Sequence, residues 1–346
     1  MIDANDRAQR ILEFVRKYGT RWSIVEAETG LPYSTAEAYW RRVLRATEDG
    51  QKAVADYHTS QAQPRKPDIT AAVDLPPRPF AVPIPVTASR EKREIQTAIY
   101  YSDTHFPYQC DRTLAVVMAL IEDIQPDLII NGGDMLDCYS VSRFDKDPSR
   151  LGSLQEEIDM GRAHLHQVAQ LCPSARRVWL EGNHEFRLTK ALWSLSGVGQ
   201  ELARLGSVVK ALEWPNLLQI ADIGWEFFPY KRQHRNEIIP RLITKHGNVV
   251  RKWSAFTGKG EWEKFGKSGV SGHVHRLGQF FHRDLRGANT WVEAGCTCTL
   301  DPEYVDAPDW QNGCVIIEYT DDWHSLRPLY IENGRTLYNG RWYEAP

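Results

Sequence analysis

The chain has 346 residues, 42% hydrophobic and 25% charged, with a formal net charge of -3. These values exclude a disordered chain and any general attraction to nucleic acid or anionic membrane, and they leave room for one large domain plus a small module. No apolar run reaches bilayer-spanning length, the start MIDANDRAQR lacks a signal-peptide pattern, and six irregularly spaced cysteines suggest reduced thiols, so a cytoplasmic protein without a membrane partner is expected.

Residues 1–49 read as helical, with apolar positions at Ile11, Phe14 and Val15 and a second short stretch over residues 22–29. Gly30-Leu31-Pro32 breaks the pattern. Ser34-Thr35-Ala36-Glu37 then has the form of a capping box opening a helix through Tyr39, Trp40, Val43 and Leu44. This order is similar to a helix-turn-helix module whose last helix would carry Arg41, Arg42 and Arg45 to DNA phosphates or base edges. A small assembly module, and with it a homo-oligomer, would use the same pattern. Residues 50–94, with Pro64, Pro67, Pro76, Pro77, Pro79, Pro83 and Pro85, read as a semi-rigid linker.

From residue 95 the pattern changes again. Strands are expected at residues 95–101, 127–131 and 177–180, with helices at 114–124 and 153–171 between them, which implies a parallel βαβαβ start. Beyond Leu218 the chain is strand-rich, with strands ending at His246 and His273 and hairpins turning at Glu332-Asn333-Gly334 and Asn339-Gly340. The Cys296-Thr297-Cys298 pair reads as the end of a strand over residues 290–296 rather than as a metal or redox site.

Five motifs sit where these strands end: Asp103-Thr104-His105, Gly133-Asp134, Gly182-Asn183-His184-Glu185, His246-Gly247 and Gly272-His273-Val274-His275. Loops after several parallel strands converge at one edge of a sheet. Imidazoles mixed with carboxylates and an amide suit first-row transition metals better than calcium or magnesium. Two divalent ions bring four positive charges, from which Asp103, Asp134 and a bridging hydroxide remove three, leaving a cationic site for a phosphate oxyanion.

In that order the five motifs resemble the pattern of the calcineurin-like metallophosphoesterases, over residues 95 to about 298. The resemblance implies an α/β fold, a metallophosphoesterase β-sandwich flanked by helices over residues 95–346, beside the small N-terminal all-α module. It implies two divalent transition-metal ions, manganese foremost with iron, zinc or nickel as alternatives. By the same resemblance Asp103, His105 and His275 would hold one ion, Asn183, His246 and His273 the other, and Asp134 would bridge them. His184 would protonate the leaving oxygen. Asp137 and Glu185 are expected to orient ligands.

The Ser/Thr protein phosphatases of that superfamily carry Gly-Asp-x-His-Gly and an Arg-Gly after the second motif. Here those stretches are Ser102-Asp103-Thr104-His105-Phe106 and Asp134-Met135-Leu136-Asp137-Cys138-Tyr139, so a protein phosphatase is disfavoured. Residues 140–146 together with Glu185-Phe186-Arg187 resemble phosphoesterases of phages and prophages, which implies a bacterial or phage-infected host cytoplasm. Arg143, Lys146 and Arg187 are expected to contact non-reacting phosphates. The leading expectation is a DNA phosphodiesterase whose N-terminal module raises local substrate concentration. A small-molecule nucleotide or cyclic-nucleotide phosphoesterase is the alternative, followed by an inactive DNA-binding protein.

Overall fold

A computed structural model describes residues 3–62, 95–143, 145–146, 152–235, 237–285, 287–302 and 306–346, so the proline-rich run from residue 63 to 94 lies outside the described residues. The chain divides into two units, Met1–Ala88 and Ser89–Pro346.

In the first unit, α1 (Ala4–Tyr18) is capped by the Asp3 carboxylate, which accepts from the Ala4 N–H, and turns Ile11, Phe14 and Val15 into a core with Val25, Trp40 and Leu44. A 3-10 turn leads to α2 (Val25–Thr29), which Gly30 ends in the left-handed region. Next comes α3 (Tyr33–Tyr39), widening into a π-helical turn (Trp40–Leu44). The capping box expected at Ser34 does not form. The helix starts at Tyr33 behind Pro32 with no side-chain cap, and the Glu37 carboxylate pairs instead with Arg41 at 2.6 Å. A further helix, α4 (Glu48–Ala62), occupies residues expected in the linker. Its Ala53 joins the core, so the helical unit continues until close to the first proline of the run. Arg41, Arg42 and Arg45 are all exposed.

The second unit opens β1 (Gln96–Tyr101), α5 (Asp111–Ile124), β2 (Leu128–Asn131), α6 (Leu154–Leu171), β3 (Arg176–Leu180), as the pattern predicts. Ser153 and Glu156 form a complete capping box on α6. Four short helices follow, α7 (Phe186–Trp193), α8 (Val198–Leu202), α9 (Gly206–Ala211) and α10 (Trp214–Leu217), then β4 (Trp225–Phe228). The remaining elements are β5 (Leu242–Lys245), α11 (Phe256–Phe265), β6 (Ser268–Ser271), β7 (Leu277–Asp284), β8 (Gly287–Ala294), β9 (Gly313–Tyr319), β10 (His324–Tyr330), β11 (Arg335–Tyr338) and β12 (Arg341–Glu344).

One sheet has the order β10-β9-β1-β2-β3-β4, with β1 to β4 parallel, β9 antiparallel to β1 and β10 antiparallel to β9. The other has the order β5-β6-β8-β7, with only β7 antiparallel. Strand alternation gives each residue of β1 a face. Ala98 and Tyr100 pack with Val270 and Val292 of the second sheet, whereas Ile99 and Tyr101 join the core that α5 and α6 cover. The result is a two-sheet sandwich with helices on an outer face. The β11–β12 hairpin is pinned to α5 by Arg341, 2.7 Å from Asp123.

Candidate metal centre

The ends of β1, β2 and β3 deliver Asp103 and His105, Asp134, and Asn183 and His184, while β5 and β6 deliver His246 and the His273–His275 pair. Five of these residues have left-handed backbones: Asp103 (φ 55°), His105 (52°), Asp134 (48°), His273 (74°) and His275 (57°). Non-glycine residues persist there only where the surroundings over-determine them, and such strain gathers at functional sites. Here the bracing is mutual. The Asp103 N–H donates to Gly133 O at 2.9 Å, the His105 N–H to Asp134 O at 3.0 Å, and the His184 N–H to Asp134 Oδ1 at 2.8 Å. Gly272 has to be glycine because a Cβ there would overlap Asp103 Oδ2 and Ser102 Oγ.

Donor atoms gather in two groups, Asp103–His105–His275 and Asp134–His246–His273, each with its atoms within 4.8 Å of one another, and a third group links His105, Asp134 and His184. Asn183 joins the second, with Oδ1 3.1 Å from His246 Nε2. Hydrogen bonding fixes what kind of guest fits. His246 Nδ1 faces the Gly132 carbonyl at 2.9 Å and so carries the hydrogen of the neutral ring. Its Nε2 points at Asn183 Oδ1 and, at 3.2 Å, at Asp134 Oδ2. Positive charge is needed among these atoms, supplied either by a proton on His246 Nε2 donating to Asp134 or by a metal ion that displaces it. Burial disfavours charge on His246, yet Asp134 and Asp103 beside it raise its pKa to about 9. Burial likewise opposes ionisation of Asp103, but His275 and His246 hold its carboxyl at about 2. Nitrogen and oxygen donors in these two groups fit a pair of divalent ions.

A second layer of hydrogen bonds lies behind these donor residues. Asp137 Oδ1 lies 3.1 Å from His105 Nδ1 and 3.2 Å from His184 Nδ1. Its backbone carbonyl meets His184 Nδ1 at 2.8 Å and accepts from Arg187 Nη1 at 2.8 Å. The Glu185 carboxylate accepts from three backbone N–H groups, Asp134 at 3.0 Å, Leu136 at 3.0 Å and Gly182 at 2.8 Å, tying the second and third motifs together. Gln233, which the sequence did not single out, holds the His246 N–H at 2.8 Å with its side-chain oxygen.

Two side chains expected at substrate are engaged within the protein. Arg187 Nη2 lies 2.8 Å from His184 Nε2. The Lys146 ammonium bonds to Tyr139 O and, at 2.8 and 2.7 Å, to Ser142 O and Oγ, so it shapes its own loop. Arg143 is exposed nearby. The two thiols expected at a strand end lie beyond β8, because pairing with β6 and β7 stops by Ala294, and they gather with His275 instead. Cys298 Sγ is 3.8 Å from His275 Nδ1, and the Trp310 ring stands edge-on to His275 at 4.2 Å. These contacts join residues far apart in the chain and carry no local signal.

The family model described as "Calcineurin-like phosphoesterase" matches residues 98–277, more than half of the chain. The chain belongs to that family. It is therefore a metal-dependent phosphoesterase, a hydrolase. The Gene 54 protein of Mycobacterium phage L5 is 28% identical over 265 residues, covering 71% of this chain and 98% of the relative. The Gene 54 protein of Mycobacterium phage D29 is 29% identical, with the same coverage. Among solved structures, a dimetal phosphatase from Danio rerio has a TM-score of 0.36 at 11% identity, covering 67% of this chain and 95% of that one. Vps29 from Entamoeba histolytica has a TM-score of 0.36 at 10% identity, covering 72% and 99%. Among the described residues, no helix is long and apolar enough to cross a membrane.

Proposed function

We propose that this phosphoesterase is a phosphodiesterase acting on DNA strands, with manganese as its ions. One observation carries the substrate: the rim next to the metal ligands alternates exposed apolar and cationic side chains. Val250, Trp253 and Phe256 are 60%, 56% and 54% exposed, with exposed Arg251 and Lys252 among them. This loop leaves directly from His246-Gly247, and its Arg251 carbonyl accepts from Arg276, the neighbour of His275. Aromatic faces interleaved with cations bind single-stranded nucleic acid by stacking and backbone attraction. In the N-terminal unit, exposed Arg42 and Arg45 would add phosphate contacts, and alanine at both should lower the salt dependence of DNA binding.

Asp103, His105 and His275 would hold one ion, Asn183, His246 and His273 the other, with Asp134 between. Bound there, the ions would neutralise charge on the scissile phosphate and acidify a water molecule. The chain's own residues handle the leaving group. Asp137 O anchors His184 through Nδ1, which leaves Nε2 facing the site, 3.7 Å from Asp134 Oδ2. With substrate bound, Arg187 would turn from Nε2 to a phosphate oxygen, and His184, after taking up a proton from water at Nε2, would pass it to the leaving oxygen as the P–O bond breaks.

The test is manganese-dependent hydrolysis of bis(p-nitrophenyl) phosphate, p-nitrophenyl phosphate, and single- and double-stranded DNA. Preference for the diester and cleavage of DNA are expected. Diester turnover with every DNA left intact would overturn the DNA assignment in favour of a small-molecule diester, and preference for the monoester would overturn the diesterase reading.

A further inference from the structure

Beside His184 runs a groove of about 420 Å³, between the turn at residues 140–143 and one face of α7. Its polar lining is Ser140, Ser142 and Arg143 from the turn and Arg187, Lys190 and Ser194 from the helix. Arg187 and Lys190 lie three apart on α7, and Ser194, the residue that caps its C-terminal end, follows four further on, so the three lie along one face. Three cations and three hydroxyls line this groove, and among the described residues no carboxylate does. Such a lining recognises a phosphate by charge-assisted hydrogen bonds. The Lys146 bonds to Tyr139 and Ser142 hold the turn that presents Arg143.

We propose that this groove is a subsite for a second, non-reacting phosphate carried by the leaving group. The assignment rests on the phosphodiesterase reading above. Its side of the site follows from Arg187, which lines the groove and also touches Nε2 of the residue assigned to protonate the leaving oxygen. A group departing past His184 enters the groove. The substrate class is then a DNA strand whose departing nucleoside bears the next phosphate, in contrast to an ester with an uncharged leaving group.

The experiment compares kcat/KM for three thymidine dinucleotides: unphosphorylated, 5′-phosphorylated and 3′-phosphorylated. One of the phosphorylated forms should exceed the unphosphorylated one about tenfold, the yield of one good charge-assisted contact. Lys190→Ala and Arg143→Gln should each pull that ratio toward one. Equal rates for all three dinucleotides in the unaltered enzyme would overturn the subsite while leaving the diesterase reading intact. So would variants that slow every dinucleotide alike and keep the ratio. Cleavage of none of them, with bis(p-nitrophenyl) phosphate still hydrolysed, would overturn the DNA reading and the subsite with it.

Discussion

Glu185 offers the sharpest test of how the site is held together. Its side chain is fully buried and its two oxygens accept from the N–H groups of Asp134, Leu136 and Gly182. Replacing it with glutamine preserves size but turns one oxygen into a donor. The amide oxygen can keep Asp134 and Gly182, which share Oε2, while its NH₂ then faces the Leu136 N–H. One buried donor left without an acceptor costs about 1–3 kcal/mol. For a unit of this size about 2 kcal/mol lowers the Tm by roughly 4–8 °C. The same change loosens the Asp134 loop, so manganese affinity should fall about tenfold or more, as for other residues that orient ligands. Glu185→Ala strands all three donors and should cost roughly 3–9 kcal/mol, enough to unfold many domains. Calorimetric unfolding at saturating manganese and isothermal titration with manganese measure the two effects. A Glu185→Gln protein with unchanged Tm and affinity would refute the brace.

Other positions give independent checks. His184→Ala should retain both ions by elemental analysis yet lose about 10²–10⁴ in rate, most for alkyl leaving groups, since it removes the proton donor and no ligand. Gly272→Ala should weaken manganese binding at least tenfold in a titration, because the added methyl displaces the Asp103 carboxylate. His164, with Nε2 2.9 Å from the Tyr101 hydroxyl, has its pKa lowered by burial from 6.5 to about 4. Below pH 6.5 the unfolded chain takes up a proton that the folded chain refuses, so stability is complete above 6.5 and falls until about pH 4. The loss totals about 3 kcal/mol at ~1.4 kcal/mol per pH unit, and His164→Gln should flatten that slope in denaturant titrations.

That these Asp, Asn and His side chains gather at one place was legible, because chemistry restricts metal-donor types and the strand period places the motifs at strand ends. The run from β1 to β3 was legible too, since its buried strands alternate with amphipathic helices. The region from α7 to α10 was not. Its helices are short, and Trp193, Val198, Leu202 and Leu205 are exposed, which blurs the apolar period that identifies a helix. Nor did local pattern separate Glu185 from a surface carboxylate, or Arg187 from a free phosphate contact. Both roles depend on backbone groups about fifty positions away.

That long-range dependence follows from the left-handed donor residues themselves. A strand that ends in such a conformation turns its next polar groups out of the ladder, and each then needs a partner from another loop. Asp134 ties two other loops to its own with three bonds: its carbonyl takes the His105 N–H, its Oδ1 takes the His184 N–H, and its own N–H goes to Glu185. The residue proposed to stand between the ions is therefore also the mechanical junction of the site. Charge removed there disturbs geometry as well as electrostatics, whereas the His184 side chain, held at the rim by Asp137 and Arg187, can be truncated with Asp137 still against His105 and the His184 N–H still on Asp134. A bridging ligand and a proton donor thus differ in what their removal should do to the fold, and not only to the rate.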